Sequence, residues 1–361
     1  MILKSLATLV AMFPAMAAAL PLHQLMLPDG YRIEVVAKVD NARQMALGSI
    51  GTLFVGSRRK GRVYRLHDSN GDGHYERVET LLRGLNMPSG VAYRDGSLYI
   101  AAVDRILRVN NAATVTRLPA KAKLVTDQLP DINHHGWKYL KFGPDGRLYF
   151  NLGAPCNICQ GKDPRFATLL RLDPVSKTQQ IVAHGVRNSV GFTWHPNNQQ
   201  LWFTDNGRDH MGDNLPDDEL NRLTVTGQHF GYPFIHAGDV PDPEFYDDQA
   251  YSDYQPPVLK LGAHVAPLGL TFYTGTQFPA TTADNLFIAE HGSWNRSSKV
   301  GYRVVRVDTS TTPLTQTVFI NGWLQGERAW GRPVDIIVDH DGSLLISDDK
   351  ADVIYRVSYS P

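Results

Sequence analysis

Cysteine is almost missing from this chain: Cys156 and Cys159 are the only two in 361 residues. A c-type haem attachment would need His directly after the second Cys, and Gln160 stands there. A structural zinc site would need further ligands, and there is no second Cys pair. A thioredoxin-type role lacks its strand-helix surroundings. For Cys156-Asn157-Ile158-Cys159 the favoured reading is a local disulfide in an oxidising compartment. An excess of charge is missing too. Lys+Arg and Asp+Glu both number 36, so nothing argues for nucleic acid or an anionic membrane as partner. Helical periodicity is nearly absent, with no long i, i+3, i+4, i+7 run. No G-x-S-x-G elbow, H-E-x-x-H, Walker loop or strand-borne G-x-G-x-x-G occurs. Serine hydrolase, zincin, nucleotide triphosphatase and nicotinamide dehydrogenase therefore have no positive support.

Beyond the N-terminus, Asp, Arg, Gly or Asn interrupts every apolar stretch before it reaches spanning length. Residues 1–19 have the order of parts of an export signal. Lys4 gives the positive start and Leu6 to Met12 the apolar run. Ala15-Met16-Ala17 and Ala18-Ala19 then offer small residues for cleavage. The run is short for a membrane anchor, and Pro14 interrupts it. The expectation is a soluble, periplasmic or secreted protein with no membrane span.

What the chain does have is a repeat. A turn followed by two apolar or aromatic positions recurs, as in Asp95-Gly96-Ser97-Leu98-Tyr99, Asp145-Gly146-Arg147-Leu148-Tyr149 and Asp341-Gly342-Ser343-Leu344-Leu345. The marker leucines are Leu53, Leu98, Leu148, Leu201, Leu286 and Leu344, at intervals of 45, 50, 53, 85 and 58 residues. A strand-like phrase follows most markers, such as Val63-Tyr64-Arg65-Leu66 and Val304-Val305-Arg306-Val307. Short strands, tight turns and this period predict an all-β, six-bladed β-propeller with four-stranded blades, as one domain over 20–361. A sandwich is the all-β alternative, but it predicts no repeating marker. The long interval reads as an insertion at about 205–265 rather than a missing blade, and long loops in compact domains are usually functional or disordered.

Polar residues stand just before or after the markers, where propeller loops surround the central channel. They are His135, Arg187-Asn188, Asn206-Gly207-Arg208, Arg296 and Arg332. Any one alone reads as an ordinary surface or core hydrogen-bonder. Their shared blade position makes them a group, and a His among several Arg suits a general base beside an anionic ligand.

The phrases His135-Gly136-Trp137-Lys138-Tyr139-Leu140-Lys141-Phe142-Gly143-Pro144-Asp145-Gly146, Gly185-Val186-Arg187-Asn188, Asp217-Asp218-Glu219-Leu220-Asn221, Phe230-Gly231-Tyr232-Pro233 and His291-Gly292-Ser293-Trp294-Asn295-Arg296 carry a resemblance to the sorbosone dehydrogenase family. That family is related to the soluble glucose and aldose dehydrogenases that use pyrroloquinoline quinone (PQQ). The resemblance spans nearly all of the chain after residue 19. It implies a propeller holding PQQ and Ca²⁺ at its channel mouth and a sugar or sugar aldehyde as substrate; with no haem motif in the chain, electrons would leave to an external acceptor. It implies His135 as general base, with Arg187, Asn188 and Arg332 beside the cofactor. Arg296 or Lys299 would replace the family's cofactor-binding Lys. The carbonyls of Gly207 and Arg208 would ligate the cofactor Ca²⁺, and Glu219 with the Phe230 carbonyl a second, structural Ca²⁺. Two departures stand out. The soluble glucose enzymes support the base with an Asp where this chain has Ala154, and carry a Gln where it has Val190. A preference for glucose is therefore not carried over, and the group that orients His135 is left open, with His134 as one neighbour.

One motif is independent of that resemblance. Asp68-Ser69-Asn70-Gly71-Asp72-Gly73, with Glu79 at the twelfth position, fits the EF-hand loop pattern, although strand-like segments flank it. It reads either as a Ca²⁺ loop on Asp68, Asn70, Asp72 and Glu79 or as a turn built on Asn-Gly and Asp-Gly. For the whole chain, two rivals to a PQQ dehydrogenase are a metal-dependent lactone hydrolase on a six-bladed propeller and a non-catalytic binding propeller.

Overall fold

The computed structural model describes residues 19–246 and 253–361. All but one residue of the expected export signal, and part of the acidic loop in the insertion, lie outside the described residues. Six antiparallel sheets of four strands form the blades of a propeller. Blade 1 is Ala42–Leu47, Thr52–Ser57, Arg62–His67 and Arg77–Arg83. Blade 3 is Leu140–Phe142, Leu148–Leu152, Thr168–Leu172 and Gln179–His184. Blade 4 is Phe192–Trp194, Leu201–Asp205, Asp217–Leu223 and Leu259–Ala263, and blade 5 begins Pro267–Phe272, Leu286–Glu290. Blade 6 takes Pro333–Val338, Leu344–Asp348 and Val353–Tyr359 from the C-terminus and its outer strand, Tyr31–Lys38, from the N-terminal part. That pairing, from Tyr31 opposite Tyr359 to Lys38 opposite Val353, closes the ring.

Every marker leucine begins or nearly begins the second strand of its blade, and none is more than 4% exposed. The second strand is the middle of the wedge, covered by both neighbouring blades, so it must be apolar on both faces. Burying a Leu side chain there contributes roughly 1.5–3 kcal/mol. Tyr139, Tyr149 and Leu169 of blade 3 pack with Phe192, Leu201 and Phe203 of blade 4, which is how adjacent wedges adhere. Polar side chains tie the inner strands together. Gln44 of blade 1 accepts from the Val91 and Leu140 amides at 3.0 and 2.8 Å, and Asp335 of blade 6 accepts from the Met45 amide at 2.8 Å.

The Pro144-Asp145-Gly146 turn joins the first and second strands of blade 3. Gly146, at φ +76°, closes it by donating to the Gly143 carbonyl at 2.9 Å. First-to-second turns lie on one face of the ring, and the loops that enter first strands or leave second strands lie on the other. His135, entering blade 3, is therefore on the face away from its own hairpin turn. The stretch at about 205–265 that reads as an insertion holds the third and fourth strands of blade 4, and the added segment is the connection between them, 224–258. Its Gln228–His229 segment adds a short parallel strand to the edge of blade 3, opposite Ala183 and His184.

Candidate active site

Loops from blades 1, 3, 4, 5 and 6 enclose a cavity of about 400 Å³ on the second face, at the mouth of the channel. His135 lines it, 8% exposed, in a left-handed conformation at φ +47°. Gly153 makes room for it, because a Cβ there would stand 2.6 Å from the His135 Cβ. The loop is braced from beneath by Lys138, 1% exposed, whose Nζ donates to the Gly136 carbonyl at 2.7 Å. Burial lowers that ammonium to about 7. His135 Nδ1 lies 2.9 Å from the Ala154 carbonyl. An acceptor at that place requires the proton on Nδ1 and leaves the Nε2 lone pair free. Ala154, which brings no carboxylate, thus orients the ring through its main chain. His134 is a neighbour, with ring centroids 4.1 Å apart, and the His135 ring makes its hydrogen bond with the Ala154 carbonyl instead. Burial first, then the Arg187 and His134 charges, hold the His135 imidazolium well below its ordinary range. His135 is therefore neutral at physiological pH, as a general base must be.

Arg187 and Asn188 line the pocket beside it. The backbone amides of both donate to the buried Asp205 carboxylate at 2.7 and 2.6 Å. Asn188 Oδ1 is buried without a protein partner. Gly207 also lines the pocket, its amide held by Asp218 Oδ1 at 2.7 Å. Burial raises Asp218 to about 7. An orphaned amide oxygen on the pocket wall, with buried carboxylates behind it, offers oxygen donors of the kind a hard cation takes.

The opposite wall is basic. Arg43, Arg58, Arg59 and Arg332 all face the cavity. Arg58 stacks 3.9 Å over the Trp137 ring. Its burial, then the neighbouring Arg43 and Arg59 charges, lower its guanidinium to about 10. Arg332 donates to the His291 and Gly292 carbonyls at 2.9 and 2.6 Å. His291 Nε2 lies 2.8 Å from Asp349 Oδ1, and Arg43 Nη1 donates to Asp349 Oδ2 at 3.0 Å. Burial opposes ionisation of Asp349, yet His291, Arg43 and Arg332 hold it far below the usual carboxylate range. Burial lowers His291 to about 4. Trp294, 69% exposed, stands at the rim with its ring 6.0 Å from His210, edge to face.

Of the residues expected from the sequence, His135, Arg187, Asn188, Gly207 and Arg332 meet at this pocket. Arg296 and Lys299 do not. The loop turns away after Trp294, and the Arg296 guanidinium donates to the Asp213 carbonyl and, at 3.4 Å, to Asn214 Oδ1. Lys299 Nζ donates to the Glu327 carbonyl. The Arg208 side chain points into the insertion, to Asp242 at 2.5 Å and Glu244 at 3.0 Å. Glu219 and Phe230 lie outside the lining. Glu219, opposite Asp205 in the strand pairing, accepts from Asn221 Nδ2 at 2.7 Å and the Ala237 amide at 2.8 Å. Burial raises both carboxyls of that pair.

In the blade 1 loop, oxygens of Asp68, Asp72 and Glu76 gather within 4.8 Å of one another, and Asn70 Nδ2 donates to Asp72. Glu79 is not among them. Alternation in the strand Arg77–Arg83 turns it to Arg65 at 2.6 Å and His67 at 3.2 Å.

Arg58, His291 and Asp349 were missed by the sequence reading, though a signal was present. Each is the residue directly after the second strand of its blade, as is Asn206 in blade 4. Arg43 has no such marker, since it lies within a first strand.

The comparisons with known proteins agree with this architecture. An uncharacterized protein of Borreliella burgdorferi is 35% identical over 354 residues, covering 93% of this chain and 91% of that one. The PQQ domain of pyranose dehydrogenase from Coprinopsis cinerea superposes at a TM-score of 0.76 with 19% identity, over 92% of this chain and 97% of that one. The PQQ-bound aldose sugar dehydrogenase of Streptomyces coelicolor superposes at 0.66 with 18% identity, over 93% and 100%. The structural neighbours are thus PQQ-dependent sugar dehydrogenases on the same propeller. A family model matches residues 18–357, and the chain belongs to that family, the domain of unknown function DUF7133.

Proposed function

We propose that this protein is a PQQ- and Ca²⁺-dependent dehydrogenase that oxidises a sugar or sugar aldehyde, with His135 as general base. The observation that carries the reading is the basic wall. Arg58, Arg59 and Arg332 converge on one cavity with no ion-pair partner among the described residues. Cations that depress one another's protonation in a partly dry site are stabilised by an anionic ligand, and a polycarboxylate quinone supplies that charge. A lactone hydrolase would centre its metal on side-chain carboxylates and has no use for such a wall.

Arg332 and Arg58 would hold the cofactor's carboxylates, Arg43 keeping Asp349 in place behind them. The Gly207 and Arg208 carbonyls, with Asn188 Oδ1 near, would serve the Ca²⁺. When bound, PQQ supplies a two-electron acceptor and Ca²⁺ polarises the carbonyl that receives hydride. His135 Nε2 takes the proton from the substrate hydroxyl, and the Ala154 carbonyl keeps that nitrogen aimed at the pocket. The buried Asp205–Glu219 pair, with the Phe230 carbonyl, is read as a structural Ca²⁺ site. Export follows from the N-terminal segment, and electrons leave to an outside carrier.

Reconstitution tests the reading. Apo protein titrated with PQQ and Ca²⁺ should bind the quinone stoichiometrically and reduce a dye in a sugar-dependent way. An absence of quinone binding would sink the assignment, and binding without dye reduction by any aldose would sink the dehydrogenase step.

A further inference from the structure

The Cys156–Cys159 loop, closed by its disulfide, lies between the second and third strands of blade 3, on the pocket face. Asn157, inside it, contacts two residues that line the pocket, Arg187 and Asp209. Its main-chain carbonyl accepts from Arg187 Nε at 2.8 Å, and its Oδ1 accepts from Arg187 Nη2 at 2.7 Å. The same Oδ1 accepts from the Asp209 amide at 2.8 Å, and Nδ2 donates to the Asp209 carbonyl at 3.1 Å. Arg187 completes its set with the Asn206 carbonyl at 3.0 Å and Asp209 Oδ2 at 3.3 Å. Nearly all of its rigid fork is thereby used, so its orientation is set by the protein. The loop itself is gripped from the insertion. Tyr232 Oη accepts from the Cys159 amide at 3.0 Å and donates to the Cys159 carbonyl at 3.2 Å.

We propose that Asn157 is a positioning residue for this site. Held by the disulfide and by Tyr232, it fixes the direction of Arg187 and ties the loop at Asp209 to blade 3. The two cysteines matter here because they narrow the conformations open to a short loop that must present a carbonyl and an amide oxygen side by side. The significance of Arg187 rests on the reading of the pocket given above; the coupling of Asn157 to Arg187 does not.

The test uses the full chain as wild type, Asn157→Ala, Asn157→Asp and the Cys156→Ser/Cys159→Ser pair. Modification of Arg187 by an arginine-selective dicarbonyl is mapped by mass spectrometry, and PQQ is titrated in the presence of Ca²⁺. Arg187 should be protected in wild type and become at least about tenfold more reactive in Asn157→Ala, with PQQ bound about tenfold more weakly, the effect of one charge-assisted hydrogen bond. Asn157→Asp keeps both acceptors and should restore most of the protection. The serine pair should resemble Asn157→Ala. Unchanged protection of Arg187 in Asn157→Ala overturns the proposal, as does an Asn157→Asp protein no better than the Ala variant. If wild type binds no PQQ, the proposed function fails, while the protection ratios still decide the role of Asn157.

Discussion

On the blade 3 and 4 side of the pocket, Arg187 donates to two carbonyls, an amide oxygen and a carboxylate, and His135 is fastened to the Ala154 carbonyl. On the blade 1, 5 and 6 side, Arg58, Arg59 and Arg332 line the cavity, and the carboxylate behind them, Asp349, is bound to Arg43 and His291. In the first wall the Arg187 and His135 side chains are held by the protein, with Asn188 Oδ1 unpartnered beside them, and the second wall carries surplus charge. This difference separates two tasks. A group that must take a proton from a defined atom needs its geometry fixed beforehand. A wall that binds an anion needs field and free donors, which the protein must leave unspent.

The largest expected effect tests the first wall. His135→Ala should lower kcat by roughly 10²–10⁴-fold, the usual contribution of a general base, with PQQ affinity little changed. Dye-reduction kinetics beside a PQQ titration would check this, and full turnover would show that His135 takes no proton. Next come the surplus arginines. Arg58→Ala and Arg332→Ala should each weaken PQQ by about 10- to 100-fold, as for one lost charge-assisted contact, and leave kcat at saturating PQQ largely intact. A collapse of kcat instead would move those residues to the other wall.

The pH dependence sharpens the point about His135. Burial and the Arg187 charge depress its imidazolium, and no carboxylate backs it. Protonation of Nε2 removes the base, so the acid limb of kcat/KM should fall below pH 6.5, the ordinary imidazole value. A limb above that would mean another group is the base. The same sign governs stability. Histidines depressed in the folded state, including His229 and His291 at about 4, take up protons more readily once unfolded. The Tm should therefore decline as pH falls from 6.5 towards 4. The smallest effect belongs to the rim. Arg296→Ala should alter PQQ affinity by no more than about twofold, as surface substitutions do; a loss comparable to that of Arg332→Ala would return it to the cofactor site.

The blades were legible because one demand repeats. A strand covered by a wedge on either side must be apolar on both faces, so Leu148 and its counterparts recur at blade spacing. His135, Arg187 and Arg332 were legible because loops that enter first strands sit on one face. The rest depended on turns that local pattern does not describe. The segment after His291 reverses at Gly292, φ +94°, which leaves His291 and Trp294 at the pocket and carries Arg296 to Asp213. Glu79 satisfies a metal-loop spacing, but strand alternation directs it to Arg65, while Glu76 swings towards Asp68.

Periodicity and the residues that border strands were enough to give the number of blades and the face on which His135 and the other polar loop residues gather. What surrounds that histidine came only with the folded ring. Arg43, Arg58 and Asp349 come from opposite ends of the chain and meet because Tyr31–Lys38 pairs with Val353–Tyr359 to close the ring. The support for His135 is a main-chain carbonyl, and every residue carries one of those. No side chain announces it, so only the fold could show that the Ala154 carbonyl lies 2.9 Å from the ring.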